Sequence, residues 1–307
     1  MDLTRDSIET AQKRIASYIR QTPVLEVDPA PFGVDCRLIF KLEFLQVTGT
    51  FKARGAFNLL LSNDAEPVIA ASGGNFAFAI GHASATLGRR AHLFVPSTSP
   101  AAKIDRVRAT GAEVTVIDGF YADALDASRS YAAKNGGLLA HAYDQTEVVE
   151  GAGSCGLEIL GQAPAVNTVL VPVGGGGLIG GIAAAIQDSA GIVGVETVLT
   201  PTLHAARQSG GPIDVDVGGV AVSSLGSKTL GDIAWEVSQL WIDDSLLVSD
   251  EAVVEAQRRL WSAARIMAEP GAAVGVAALL SGVYQPGHDE TVVVVLSGAN
   301  LDPTSIL

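Results

Sequence analysis

Cysteine is scarce in this chain. Only Cys36 and Cys155 occur among 307 residues, which excludes a disulfide-built fold and cannot by itself furnish a metal site. The five histidines show no metal-ligand spacing. Charge is also sparse, at 17% of residues, and it leans acidic: 20 Lys and Arg stand against 33 Asp and Glu, a net charge of −13 at pH 7. Such a chain repels phosphate backbones and anionic membrane surfaces, so neither a nucleic acid nor a membrane is expected as partner. A long unbroken apolar run is missing too. The best candidate, residues 169–186, is interrupted by Pro172 and by the glycines 174–177, and so spans no bilayer. The opening residues, MDLTRDSIETAQKRIASYI, carry charges every few positions and lack an apolar signal core. A cytoplasmic protein is expected.

What the chain does have is apolar and small. Hydrophobic residues make up 48%, and 34 Gly and 13 Pro are scattered without a period. That excludes collagen-like, low-complexity and disordered chains, and the length suits one large domain or two lobes with a well-buried core. Short β-branched runs read as buried strands at residues 37–42, 67–71, 91–95, 113–117, 168–173, 192–196 and 291–296. Helical stretches lie between them. Ser249 is placed to cap a helix whose first turn holds Asp250 and Glu251, and Gly88 and Gly111 sit where helices should end. Apolar strands alternating with helices imply an α/β fold with parallel sheets covered on both faces.

In open parallel sheets, ligands bind beyond the carboxyl ends of the strands. Three small polar loops follow predicted strands: Ser72-Gly73-Gly74-Asn75, the run Gly174 to Leu178, and Ser297-Gly298-Ala299-Asn300. The sequence VGGGGLIGG before an apolar helix reads as an anion site, because glycines admit a phosphate close to the backbone N–H groups at a helix start. A tight turn alone does not require four consecutive glycines. Gly175, Gly177 and Gly180 also fit G-x-G-x-x-G, with Glu196 at the distance of a ribose-binding acid, so a dinucleotide and a nicotinamide-dependent oxidoreductase stay open on this loop alone. A P-loop is excluded, since no Gly-Lys-Ser/Thr follows. Ala152-Gly153-Ser154-Cys155-Gly156 lacks the first glycine of a nucleophile elbow and reads instead as the start of a glycine-rich helix.

The segment KLEFLQVTGTFKARGAFN, Lys41 to Asn58, is the most informative. It puts Lys52 at a predicted helix start, where the dipole and partial burial both favour a neutral, nucleophilic amine. On physics alone a surface lysine is the better reading, since that is what most lysines are.

This segment, the S-G-G-N loop, the GGGG loop, E-P-G-A-A at residues 269–273 and the S-G-A-N loop occur in the order found in fold-type II pyridoxal-phosphate enzymes. The chain thus resembles the serine/threonine dehydratase family over nearly its whole length. The resemblance implies a two-lobed, three-layer parallel-sheet fold of the tryptophan-synthase-β-like class. Residues 1–63 and 145–307 would form a large cofactor-binding domain, and residues 64–144 a small inserted domain closing over substrate. The cofactor implied is pyridoxal 5'-phosphate. Lys52 would hold it through the ε-amine and, once displaced, take the substrate Cα proton, with Phe51 packing near the pyridine ring. Gly174, Gly175, Gly176, Gly177 and Leu178 would cradle the phosphate, Asn75 would bond the ring oxygen, and Ser297 would face the pyridine nitrogen. Ser72, Gly73, Gly74 and Asn75 would receive the substrate, the first three binding its carboxylate.

Three departures from the family pattern matter. Phe76 stands where histidine usually follows Asn75, either packing within its helix or admitting a bulkier substrate. Gly73 replaces the serine that related racemases carry as a second acid/base, which argues for elimination. Glu196 matches one carboxylate of a cation site found in some relatives, but Thr202 stands where its aspartate partner would, so no metal is expected. The chain ends seven residues after Asn300, without room for the C-terminal regulatory domain of biosynthetic threonine dehydratases. The expected reaction is dehydration and deamination of L-threonine or L-serine by a homodimer. A dehydratase for a bulkier 3-hydroxy amino acid and an amino-acid racemase are the alternatives within the family.

Overall fold

The computed structural model describes residues 3–302 and residue 304. The outermost residues of the expected large domain, 1–2, 303 and 305–307, lie outside that set. The strands in chain order are β1 (Val24–Val27), β2 (Arg37–Lys41), β3 (Val68–Ala71), β4 (Ala91–Pro96), β5 (Glu113–Ile117), β6 (Leu138–Ala140), β7 (Thr168–Pro172), β8 (Gly191–Thr197), β9 (Asp244–Val248) and β10 (Thr291–Val295). They build a six-stranded sheet, ordered β1-β2-β10-β7-β8-β9, and a four-stranded sheet, ordered β5-β4-β3-β6. The smaller sheet draws all its strands from the chain between β2 and β7.

Strand periodicity explains the layering. On the larger sheet, Val169, Val171, Val293 and Val295 pack into one apolar cluster with the helix Gly177–Ile186. Their neighbours Leu170, Val292 and Val294 pack into another with the helix Pro270–Leu280. Successive side chains point to opposite faces, so an all-apolar strand demands helices on both sides. The smaller sheet divides likewise, Val68, Ala70 and Leu93 facing one cluster and Ile69, Ala71 and Phe94 another.

All seven strands expected from the sequence form, with ends moved by one residue at most. β1, β6 and β9 do not show in the periodicity, because each is short or begins on a polar residue and offers too few apolar positions to set a period. The all-parallel expectation also fails at one edge, where β1 pairs antiparallel with β2. Ser249 caps its helix as expected, its Oγ accepting the Ala252 N–H at 3.2 Å. Gly88 and Gly111 take φ of +67° and +84° just past the ends of their helices.

Candidate active site

The lysine segment folds around a buried set of charges. Arg54 donates to Glu43 through Nε at 2.7 Å and Nη2 at 2.8 Å, and to Glu158 through Nη1 at 2.7 Å and Nη2 at 2.8 Å. Lys41 Nζ donates to Glu158 Oε2 at 2.6 Å, to the Thr22 carbonyl at 2.7 Å and to Gln162 Oε1 at 2.8 Å. Two cations thus neutralise two carboxylates in a site shut off from water. Removing any one would strand a buried charge, a loss of about 3–5 kcal/mol. Three polar positions of the lysine segment, Lys41, Glu43 and Arg54, therefore serve as a rigid footing for the helix Lys52–Leu61. Glu158, on the helix Thr146–Gln162, completes them.

That second helix holds residues 152–156 in its middle turns rather than at its start, which corrects the sequence reading. Its glycines bring three helices together. A Cβ on Gly151 would meet the Arg54 carbonyl oxygen at 2.4 Å, and one on Gly153 would meet the Gly181 carbonyl oxygen at 2.8 Å. The lysine helix and the helix following the glycine loop are thus set against one common support.

Lys52 is the first residue of its helix. Its Nζ donates to the Ala142 carbonyl at 2.8 Å and lies 4.8 Å from the Phe51 ring centroid and 5.7 Å from that of Phe76. Burial, with no carboxylate to offset it, lowers the ammonium pKa to about 8. Phe76 is buried within the core of the smaller sheet's helices, so it packs within its own helix while one ring face turns toward the amine.

The three polar loops converge with this lysine. The Phe51 N–H donates to the Ser297 carbonyl at 3.1 Å, the Ala299 N–H to the Gly49 carbonyl at 3.1 Å, and Thr50 bridges Gly298. Asn75 Nδ2 lies 3.1 and 2.9 Å from the two Glu269 oxygens, while its Oδ1 accepts from Asn300 Nδ2 at 2.9 Å. Burial raises the Glu269 carboxyl pKa, against the hydrogen bond from Asn75. Ser72 Oγ accepts the Gly74 N–H at 3.2 Å. In the glycine loop Gly176 takes φ of +90° at the start of its helix, a conformation only glycine adopts readily. A Cβ on Gly175 would meet the Tyr143 ring at 2.3 Å. The Gly174 carbonyl accepts the Thr202 hydroxyl at 2.5 Å.

Comparison with known proteins decides the family. The pyridoxal-phosphate dependent enzyme family model matches residues 15–298. The chain belongs to that family. As a family member it depends on pyridoxal phosphate and has the α/β, fold-type II architecture. It is 31% identical to an L-threonine ammonia-lyase of Thermotoga maritima, over 99% of this chain and 77% of that protein. It is also 31% identical to a serine racemase of Oryza sativa subsp. indica, over 96% of this chain and 90% of the relative. Among solved structures, maize serine racemase superposes with a TM-score of 0.94 at 31% identity, covering all of this chain and 96% of the other. A T.th. threonine deaminase gives 0.91 at 32% identity, covering 97% of this chain and 99% of the other.

The residues present suit the family's cofactor. The N–H groups of Gly177, Leu178 and Ile179 open their helix without acceptors inside it, the donor set a phosphate monoester needs. Ser297 is buried, and its hydroxyl bonds no other described residue. Glu196, by contrast, turns its carboxylate onto the chain itself. Its oxygens accept the Leu203 N–H at 2.8 Å and the His204 N–H at 2.9 Å, with the Thr202 hydroxyl oxygen 3.0 Å away, tying down the start of the helix Thr202–Ser209. No cluster of potential metal ligands occurs among the described residues. Family membership and this use of Glu196 together overturn the dinucleotide reading of Gly175, Gly177 and Gly180.

Several neighbours of the site had no signal in the sequence. Ala142 contributes a carbonyl, which any residue could supply. Tyr143 lies in a loop after the three-residue strand β6. Asn300 could have been paired with Asn75 only in three dimensions.

Proposed function

We propose that this enzyme eliminates water from a 3-hydroxy amino acid, L-threonine or L-serine, and releases a 2-oxo acid and ammonia. Bound at the loops described above, the cofactor supplies a carbonyl for the substrate amine and a ring that accepts electrons. Lys52, half-neutral near pH 8, holds the cofactor and then takes the Cα proton. The Cα–H and Cβ–O bonds break, the hydroxyl leaves as water, and one water returns as ammonia is released. Residues 72–74 hold the substrate carboxylate without an arginine. Phe51 would lie beside the cofactor ring, Asn75, braced by Glu269 and Asn300, would bond its oxygen, and Ser297 would offer its nitrogen a neutral hydroxyl. The smaller sheet and its helices, residues 64–144, close over the substrate, and the working form is a homodimer.

The observation that favours elimination is Gly73, which brings no side chain to serve as a second acid. The serine racemases among the relatives favour racemisation as the second reading. The test is an assay of 2-oxo-acid release from threonine and serine beside a chiral assay of the remaining amino acid. Oxo-acid release should dominate, and Lys52→Ala should lower it at least about 10²-fold. Racemisation without oxo acid would overturn the proposal.

A further inference from the structure

Gly73 lies directly against Ser99, on the loop after β4. A Cβ built on Gly73 would stand 1.9 Å from Ser99 Oγ and 3.0 Å from Ser99 Cβ. The hydroxyl of Ser99 therefore fills the volume that a side chain at position 73 would take. Its backbone is held in place, the Ser99 N–H donating to the Pro96 carbonyl at 3.0 Å just before the helix Ala101–Arg108. The residue is half-buried, and its hydroxyl bonds no other described residue. Beside it the Gly74 N–H is already turned onto Ser72 Oγ, and the N–H groups of Asn75, Phe76 and Ala77 open the helix Asn75–Thr86 without acceptors inside it. An unpaired hydroxyl next to unpaired amides is a donor set suited to a carboxylate.

We propose that Ser99 is a further substrate ligand, donating a hydrogen bond to the substrate carboxylate, and that position 73 is glycine to make room for it. This rests on the reading above that residues 72–74 receive the carboxylate. The hydroxyl can be moved from one residue to the other, and that provides the test. The variants are Ser99→Ala, Gly73→Ser and the double variant, each as holoenzyme. KM for oxo-acid release is measured, together with amino-acid affinity from the change serine causes in the cofactor's visible spectrum.

Ser99→Ala should weaken KM and spectral affinity about 10- to 100-fold, the range of a hydrogen bond to a charged group, with a much smaller change in kcat. Gly73→Ser should bind poorly, because two side chains compete for one space. Gly73→Ser with Ser99→Ala returns a single hydroxyl to that space and should recover most of the affinity. A merely structural role for Ser99 would not be rescued in this way. Unchanged affinity in Ser99→Ala, or no recovery in the double variant, overturns the assignment. So does a fall in kcat at constant KM, which would place the hydroxyl in a proton step. The two readings fail separately: a wild type that binds serine spectrally yet releases no oxo acid overturns elimination, and the spectral titration still decides the role of Ser99.

Discussion

At Lys52 two effects compete over one proton. Water would keep the amine charged, and half-burial beside Phe51 and Phe76 strips part of that water away. Burial wins, bringing the pKa from 10.5 to about 8. Only the neutral amine attacks a carbonyl, so the rate at which cofactor-free enzyme captures pyridoxal phosphate should rise with pH and reach half its plateau near pH 8. Stopped-flow absorbance across pH 6 to 10 measures this, and a midpoint above 10 would show an ordinary solvated lysine. Sequence reading placed Lys52 at its helix start, but local physics alone favoured a surface residue over a nucleophile. The lining rings and the Ala142 carbonyl come from three separate segments, which no local pattern joins.

The elements carrying the site are spaced by glycine contacts. A Cβ on Gly181 would stand 2.5 Å from the Val149 carbonyl oxygen and 2.6 Å from the Gly153 nitrogen. Both are backbone atoms within the helix Thr146–Gln162, and neither can swing away as a flexible side chain would. Gly181→Ala should therefore push apart the helix behind the glycine loop and its support, costing at least about 1–3 kcal/mol of stability. Cofactor affinity should weaken as well. Urea denaturation with and without pyridoxal phosphate measures both, and a neutral outcome would show that the helices can re-space freely. The glycine run and its helix were legible in the sequence because a loop of that composition has few other uses. Gly153 and Gly156 were misread as part of a helix start, since their role depends on what packs against them.

Over the whole molecule, a net charge of −13 opposes an anionic cofactor and a carboxylate substrate. In the proposed function, attraction at the loops comes from oriented amides at short range, against a repulsive field at long range. Raising ionic strength from about 0.01 to 0.15 M shortens the screening length from about 30 to 8 Å. The association rate of pyridoxal phosphate with cofactor-free enzyme should then increase several-fold. A decrease would show that local positive potential governs the approach instead. Among the described residues no helix is long and apolar enough to cross a membrane.

The sequence by itself determined the parallel α/β plan, the three strand-end loops, the lysine and the family, because each is written in contiguous residues. Apolar runs specify buried strands, and glycines specify close backbone approach. Tertiary structure decided what contiguity cannot express. It joined Arg54 and Lys41 to Glu158, braced Asn75 with Glu269 and Asn300, spent Glu196 on a helix start, and set the Ser99 hydroxyl over Gly73. Those pairings depend on how separate elements pack, and a buried polar group finds its partner wherever the fold brings one within hydrogen-bonding reach.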